Sequence, residues 1–174
     1  SLSPVMFNSA FRALGMDWLY VALPVKLASS RAAIDGIRAL NIVGLSVTTP
    51  HKETVAAAVD QLSPVAMKLG AVNCVRRSGE VLIGENTDGK GFVESVRSGL
   101  GLEPGRSKVV VVGAGGAARA VILALAEAGA TIAVVNRTKD KAEKIVDQMA
   151  MKNVSTSGFE SISDADLVVQ ATSL

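Results

Sequence analysis

Four short segments set hydroxyls, amides, one lysine and one carboxylate among otherwise aliphatic residues: Ser1 and Ser3, Thr48 to Lys52, Asn73, and Asn86-Thr87-Asp88. Groups of this kind suit a small hydroxylated ligand. They lack the grouping of His, Cys and carboxylates that a metal site requires. Within SVTTPHKE (46–53), Lys52 is the residue best suited to chemistry. Thr49 can cap a helix and Pro50 suits its first position. Lys52 then falls in the first turn, where the helix dipole disfavours its charge. Such an amine can take up or release a proton near neutrality as a general acid or base. Asp88 is the candidate carboxylate to hold it. Plainer readings stand beside these: a lysine at a helix start is ordinarily solvated, and an N-capping Asp needs no further role. His51 is the single histidine. Titration near neutrality alone does not select it, since a side chain adjacent to Lys52 at a helix start points elsewhere.

A second chemistry is written in KVVVVGAGGAARA (108–120). Gly113, Gly115 and Ala118 form G-x-G-x-x-A after a predicted strand and before a predicted helix, with a second strand about 20 residues on. The first glycine permits the turn, the second admits a pyrophosphate, and the small third residue lets helix and strand pack. The diphosphate would sit on the N–H groups of the helix start. A bland packing turn is the alternative, and the strand-helix-strand setting argues against it. An NAD site ordinarily places Asp or Glu after the second strand. Here Asn136-Arg137-Thr138 come next, with Lys139 and Lys141. Arg137 offers a planar fork to a 2′-phosphate, with Lys141 nearby, so NADP is favoured over NAD. Cations left alone would be poorly placed at the positive end of a helix.

The elements that must carry these residues divide into two halves. SLSPVMFNSAFRALG has Ser3 as cap, Pro4 at the first helical position and Gly15 as stop. WLYVAL (18–23) reads as a strand and SSRAAIDGIRAL (29–40) as a helix with Ile34, Ile37 and Leu40 on one face. IVGLSVT (42–48) reads as a strand and 50–61 as a helix. This α-β-α-β-α order suggests a parallel sheet with crossover helices. VNCVRR and EVLIGE around Ser78-Gly79 read as a hairpin. A helix from Asp88 to about Gly99 or Gly101 connects the halves, and LEPGRS (102–107) reads as a linker. Beyond it come strand, helix and strand, then a helix over 139–151 and a buried strand over 166–172. The expected domains are 1–87 and 88–174, in an α/β protein.

Composition agrees. Of the 174 residues, 49% are hydrophobic and 3% aromatic, so an aliphatic core is available. The net charge of +2 and the absence of a basic tract argue against nucleic acid as a partner. The longest apolar stretch, near 120–135, is broken by Glu127 and Gly129, and no run approaches the ~20 residues of a membrane span. Cys74 is the single cysteine. It allows no internal disulfide, and a reducing, cytoplasmic setting is the default. The chain opens without methionine and closes on a strand pattern, which reads as a piece of a longer protein.

In order, SLSPVMFNSAF, SVTTPHKE, GAVNCV, GENTDGKGF, VVGAGGAARA and NRTKDKA resemble the successive signatures of the shikimate dehydrogenase family across nearly the whole chain. The resemblance implies a substrate domain and then a Rossmann domain, with the active site between them. It implies reversible reduction of 3-dehydroshikimate to shikimate with NADPH, on the route to chorismate and the aromatic amino acids. Carried onto matching positions, it gives Ser1 and Ser3 to the substrate carboxylate. Thr48, Asn73 and Asp88 go to ring hydroxyls, with Asn86 nearby. Lys52 becomes the catalytic lysine paired with Asp88. Gly113, Ala114, Gly115, Gly116 and Ala117 would line the diphosphate, and Asn136, Arg137, Thr138 and Lys141 the 2′-phosphate. A homodimer is compatible with the family. Ser46 stands where Asn is usual, Cys74 where Thr is common, Gln170 where Asn is common and Phe7 where His is usual. The family pattern also has a strand before SLSP, and more Rossmann strands and a substrate-contacting Gln after QATS. The isolated chain is therefore expected to be a poor enzyme. Quinate or aminoshikimate dehydrogenases, and a ligand-sensing module without catalysis, are the alternatives. A sensor needs neither Lys52 nor Asp88.

Overall fold

Short runs of β-branched residues between glycine turns build two separate sheets in a computed structural model that describes residues 2–172. In the second half, KVVVV forms the strand β5 (Lys108–Val112), and Val109 and Val111 are buried. It pairs in parallel with β6 (Thr131–Val135) on one side and β8 (Leu167–Gln170) on the other, and β7 (Val154–Thr156) lies outside β6. The helices α6 (Gly116–Glu127) and α7 (Lys139–Met149) cover this parallel sheet. Ala, Val, Ile and Leu fill seven buried positions of α6, each large one contributing about 1.5–3 kcal/mol of transfer free energy. The glycine-turn reading of this half holds. One detail differs: β8 is not a buried strand. It occupies the end of the described sheet, and Val168 is exposed while Val169 is buried.

The first half departs from the parallel arrangement expected of it. The hairpin of β3 (Cys74–Ser78) and β4 (Val81–Glu85), turned at Gly79 with φ +60°, forms as read. The strand β1 (Gly44–Ser46) joins β3 antiparallel, and only the two-residue β2 (Gln61–Leu62) pairs in parallel, with β4. The sheet therefore runs in the order β1-β3-β4-β2. The central β3 therefore runs opposite to both of its neighbours, β1 and β4. The helix α2 (Ser30–Ala39) buries Ile34 and Ile37 against Val47, Val55, Val72, Val75 and Leu82. Leu40 ends the helix and is exposed, because its position lies past the last turn.

Two further expectations are corrected, and one helix joins those read from the pattern. WLYVAL is not a strand: 18–23 is irregular, and Trp18, Leu19, Val21 and Leu23 are exposed, with no ladder partner among the described residues. β-propensity acts only where a neighbouring strand supplies the hydrogen bonds. The helix α1 (Ser3–Ala13) starts at Ser3 with Leu2 in the cap position and no side-chain cap bond. Stacked Phe7 and Tyr20, and Asn8 bound to the backbone of Tyr20, hold the next segment to it. A helix the pattern did not suggest, α4 (Pro64–Leu69), has all the local signals: Ser63 accepts from Ala66 N, Pro64 opens the helix and Gly70 closes it at φ +63°.

The two halves meet through side chains as well as chain. The helix α5 (Asp88–Leu100) lies along α6, and Gly89 is the reason it can. A Cβ at Gly89 would collide with the backbone oxygen of Ala120. Leu69 and Ala71 from the first half are buried in the same cluster as Ala118, Ile122 and Val93.

Candidate active site

Antiparallel pairing explains how three of the four distant segments, those of Thr48 to Lys52, Asn73 and Asn86 to Asp88, converge. Ser46 at the end of β1 and Glu85 at the end of β4 both face Cys74 at the start of β3. Asn73, the residue before β3, therefore lies between the chain leaving β1 and the chain leaving β4. Its carbonyl accepts from Val47 N at 2.7 Å, and its own N–H donates to Glu85 O at 3.0 Å. Asn73 thus sits at the beginning of a strand, not at a carboxyl end, and reaches the site because β3 runs opposite to its neighbours.

The chain after β4 supplies Asn86, Thr87 and Asp88. Asp88 is the first residue of α5 and does not cap it. Its carboxylate is engaged on both oxygens: Lys52 Nζ donates to Oδ2 at 2.6 Å and Asn73 Nδ2 to Oδ1 at 2.7 Å. Asn73 Oδ1 accepts from Thr87 N at 2.9 Å. Asn86 is buried, and both ends of its side-chain amide are hydrogen-bonded to the protein. Its Nδ2 donates to Ala71 O at 3.0 Å, and its Oδ1 accepts from Asp88 N at 3.2 Å. Sequence gives Thr87 no separate role, although NTD offers an amide, a hydroxyl and a carboxylate in three consecutive residues.

The turn bearing Lys52 differs from the one expected. Thr49 and Pro50, joined by a cis peptide, lie in a turn closed by His51 N donating to Thr48 O at 2.9 Å. The helix α3 (Lys52–Ala56) has five residues rather than spanning 50–61, with His51 at its cap position and no side-chain cap bond. Thr49 and Pro50 therefore do not start it. Polar residues and a Pro make a turn as readily as a helix start. What fixes Lys52 is tertiary. Its carbonyl accepts from Val72 N at 3.0 Å, Val55 is buried, and its ammonium is held by Asp88. His51 Nδ1 lies 2.9 Å from Ser30 Oγ, whose hydroxyl donates to Leu27 O at 2.7 Å. With that hydroxyl proton committed, Nδ1 is the donor to Ser30. His51 anchors the turn to α2. The side chain of Lys52 is 28% exposed and that of Asp88 33%, so the pair opens onto solvent. The hydroxyl-bearing Thr48 is exposed, and Ser3 is partly buried at the start of α1. Ser1 lies outside the described residues.

The glycine loop has the geometry its sequence predicts. Gly113 adopts φ +126°, and a Cβ there would lie 2.8 Å from Ala171 O. Only glycine fits both demands. Gly115 caps α6 in extended conformation, and nothing lies within 4 Å of a Cβ built on it. The start of α6 is thus open to an anion, with Ala117 exposed beside it and Ala118 fully buried against the sheet. A shallow cavity over Ala114, Gly115 and Gly116 is bordered by Glu53, Arg119 and Lys141. After β6, Asn136 Nδ2 donates to Thr138 O at 2.8 Å and shapes the turn that presents Arg137, Thr138 and Lys141 to solvent. These residues fit a dinucleotide carrying an extra phosphate: an open helix start, a glycine cradle and exposed cations without a carboxylate at the end of β6. Glu53 and Arg119, paired at 3.0 Å, had no motif to announce them.

The family described as shikimate dehydrogenase substrate binding domain matches residues 1–75, and the one described as shikimate / quinate 5-dehydrogenase matches residues 99–174. The NADP(+) shikimate dehydrogenase of Methanothermobacter thermautotrophicus is 42% identical over 99% of this chain and 63% of its own. The solved shikimate 5-dehydrogenase of Thermus thermophilus, in complex with NADP(H) and shikimate, superposes with a TM-score of 0.91 at 37% identity, covering 99% of this chain and 64% of that one. The ligand-free 5-ketofructose reductase of a Gluconobacter strain superposes with a TM-score of 0.89 at 35% identity, covering 99% and 64%. The chain thus spans less than two thirds of the length of these relatives.

Proposed function

Because the chain belongs to the shikimate dehydrogenase family, we propose that it forms the catalytic part of an NADP-dependent oxidoreductase interconverting 3-dehydroshikimate and shikimate, on the route to chorismate and the aromatic amino acids. The observation that carries this reading is the 2.6 Å contact of Lys52 with Asp88, on a helix packed against the one that bears the glycine loop. Residues 1–87 hold the substrate and 88–174 the cofactor, with Ser1, Ser3, Thr48 and Asn73 addressing the substrate's carboxylate and hydroxyls. The loop from Gly113 to Ala117 holds the diphosphate, and Asn136, Arg137, Thr138 and Lys141 hold the 2′-phosphate.

NADPH, when bound, supplies the hydride. Lys52 delivers a proton from its ammonium to the oxygen of the substrate carbonyl as charge develops there. In the reverse direction its neutral amine takes that proton from the hydroxyl. Asp88 keeps Lys52 aimed, and Asn73 and Asn86 keep Asp88 in place. The cytoplasm is the compartment that fits a chain with one free thiol.

The test is nicotinamide absorbance of the full-length protein with shikimate and quinate, each offered with NADP and NAD. Turnover of shikimate with NADP is expected, and turnover of quinate alone, or of neither, would overturn the assignment. Arg137→Ala is expected to weaken NADPH about tenfold or more while leaving NADH nearly unchanged. The likeness to a 5-ketofructose reductase favours a second reading, reduction of another small hydroxyketone, which that compound added to the same assay would reveal.

A further inference from the structure

Arg119 carries its charge in the wrong place for its own helix. It is the fourth residue of α6, and its guanidinium curls back over the helix start, with Nη2 4.0 Å from a Cβ built on Gly116. The N-terminal end of a helix disfavours a cation, and the first turn of α6 contains no acidic residue. The compensating charge comes from the other half of the molecule. Arg119 Nη2 donates to Glu53 Oε1 at 3.0 Å, and Glu53 is the residue directly after Lys52. The Glu53 side chain is 73% exposed, and an exposed pair of this kind contributes little stability. It is readily exchanged for a stronger anion. Both side chains border the cavity over Gly115 and Gly116, together with Lys141 and Lys144. One carboxylate therefore faces three cations at the place where a diphosphate would rest.

We propose that Arg119 is a diphosphate-binding residue and that Glu53 is the anion it holds until the cofactor arrives. A nucleotide diphosphate takes the guanidinium from Glu53, so binding breaks one weak exposed ion pair and gains a charge-assisted contact. This inference rests on the reading of the glycine loop as a dinucleotide site.

The experiment measures NADPH and 2′-AMP binding to the intact protein by calorimetry. 2′-AMP carries the adenosine phosphate and lacks the diphosphate. Arg119→Gln is expected to weaken NADPH about tenfold and to leave 2′-AMP unchanged. Glu53→Gln is expected to tighten NADPH about threefold, since it removes a competing anion. Unchanged NADPH binding in Arg119→Gln, an equal loss of both ligands, or no gain in Glu53→Gln would overturn the exchange. Failure of the wild-type protein to bind either ligand would instead overturn the dinucleotide reading itself.

Discussion

At the scale of the residue, the site is a chain of dependence. Lys52 leans on Asp88, Asp88 on Asn73, and the backbone of Asp88 on Asn86, which is tied to Ala71. Each link is a charge-assisted or amide bond, and each uses a donor or acceptor that would otherwise need water. If Lys52 is the proton donor, Lys52→Ala should lower kcat by about a hundredfold to ten-thousandfold while leaving NADPH binding intact. Near-normal turnover at saturating substrate would remove Lys52 from the mechanism. Sequence put Lys52 and Asp88 forward as candidates with plainer alternatives beside them. It had no means of telling that Asn86 would be turned inward, because an Asn after a strand can equally face ligand or backbone.

At the scale of the element, glycines decide how closely helices approach. Gly89 and Gly91 share α5 two residues apart, and their surroundings are opposite. A Cβ at Gly91 meets nothing within 4 Å, whereas one at Gly89 runs into α6. Gly91→Ala should therefore stabilise the fold by about 0.5–1 kcal/mol through the unfolded chain, and Gly89→Ala should destabilise it by about 1–3 kcal/mol through overpacking. Urea unfolding separates the two. The sheet of the first half has its own electrostatic tie. The bond from Arg38, and then the N–H of Leu82, hold the Asp60 carboxyl below its usual range. The unfolded carboxylate therefore takes up its proton first. The stabilisation is complete above about pH 4 and is lost as pH falls through the lowered native value. Asp60→Asn should flatten the acid limb of urea midpoints measured from about pH 2 to 5 and leave neutral-pH differences small.

At the scale of the whole molecule, each sheet has its own buried cluster, and two residues of the first half cross into the second. Leu69 and Ala71 enter the cluster built around α6, and α5 lies between the halves. Contacts that join two clusters couple them in unfolding. Calorimetry should record one transition, and NADPH at about a hundredfold its Kd should stabilise all of it by about 2.7 kcal/mol. Two transitions, of which NADPH moves only one, would show the halves to be energetically separate.

The sequence alone determined what depends on neighbours along the chain: the glycine turn and its strands, the hairpin at Gly79, the span of α5, and the absence of a carboxylate after β6. Periodicity and turn chemistry are local, so a local reading reaches them. Pairing direction and side-chain company are not local. Tertiary structure decided that β1 runs against β3, and so brought Asn73 to Asp88 across 15 residues and Lys52 to Asp88 across 36. It also decided that WLYVAL has no strand to join, that the Lys52 helix is a single short turn, and that Glu53 answers Arg119 from 66 residues away. Each of these is a choice among partners distant in sequence, and only the folded chain presents those partners together.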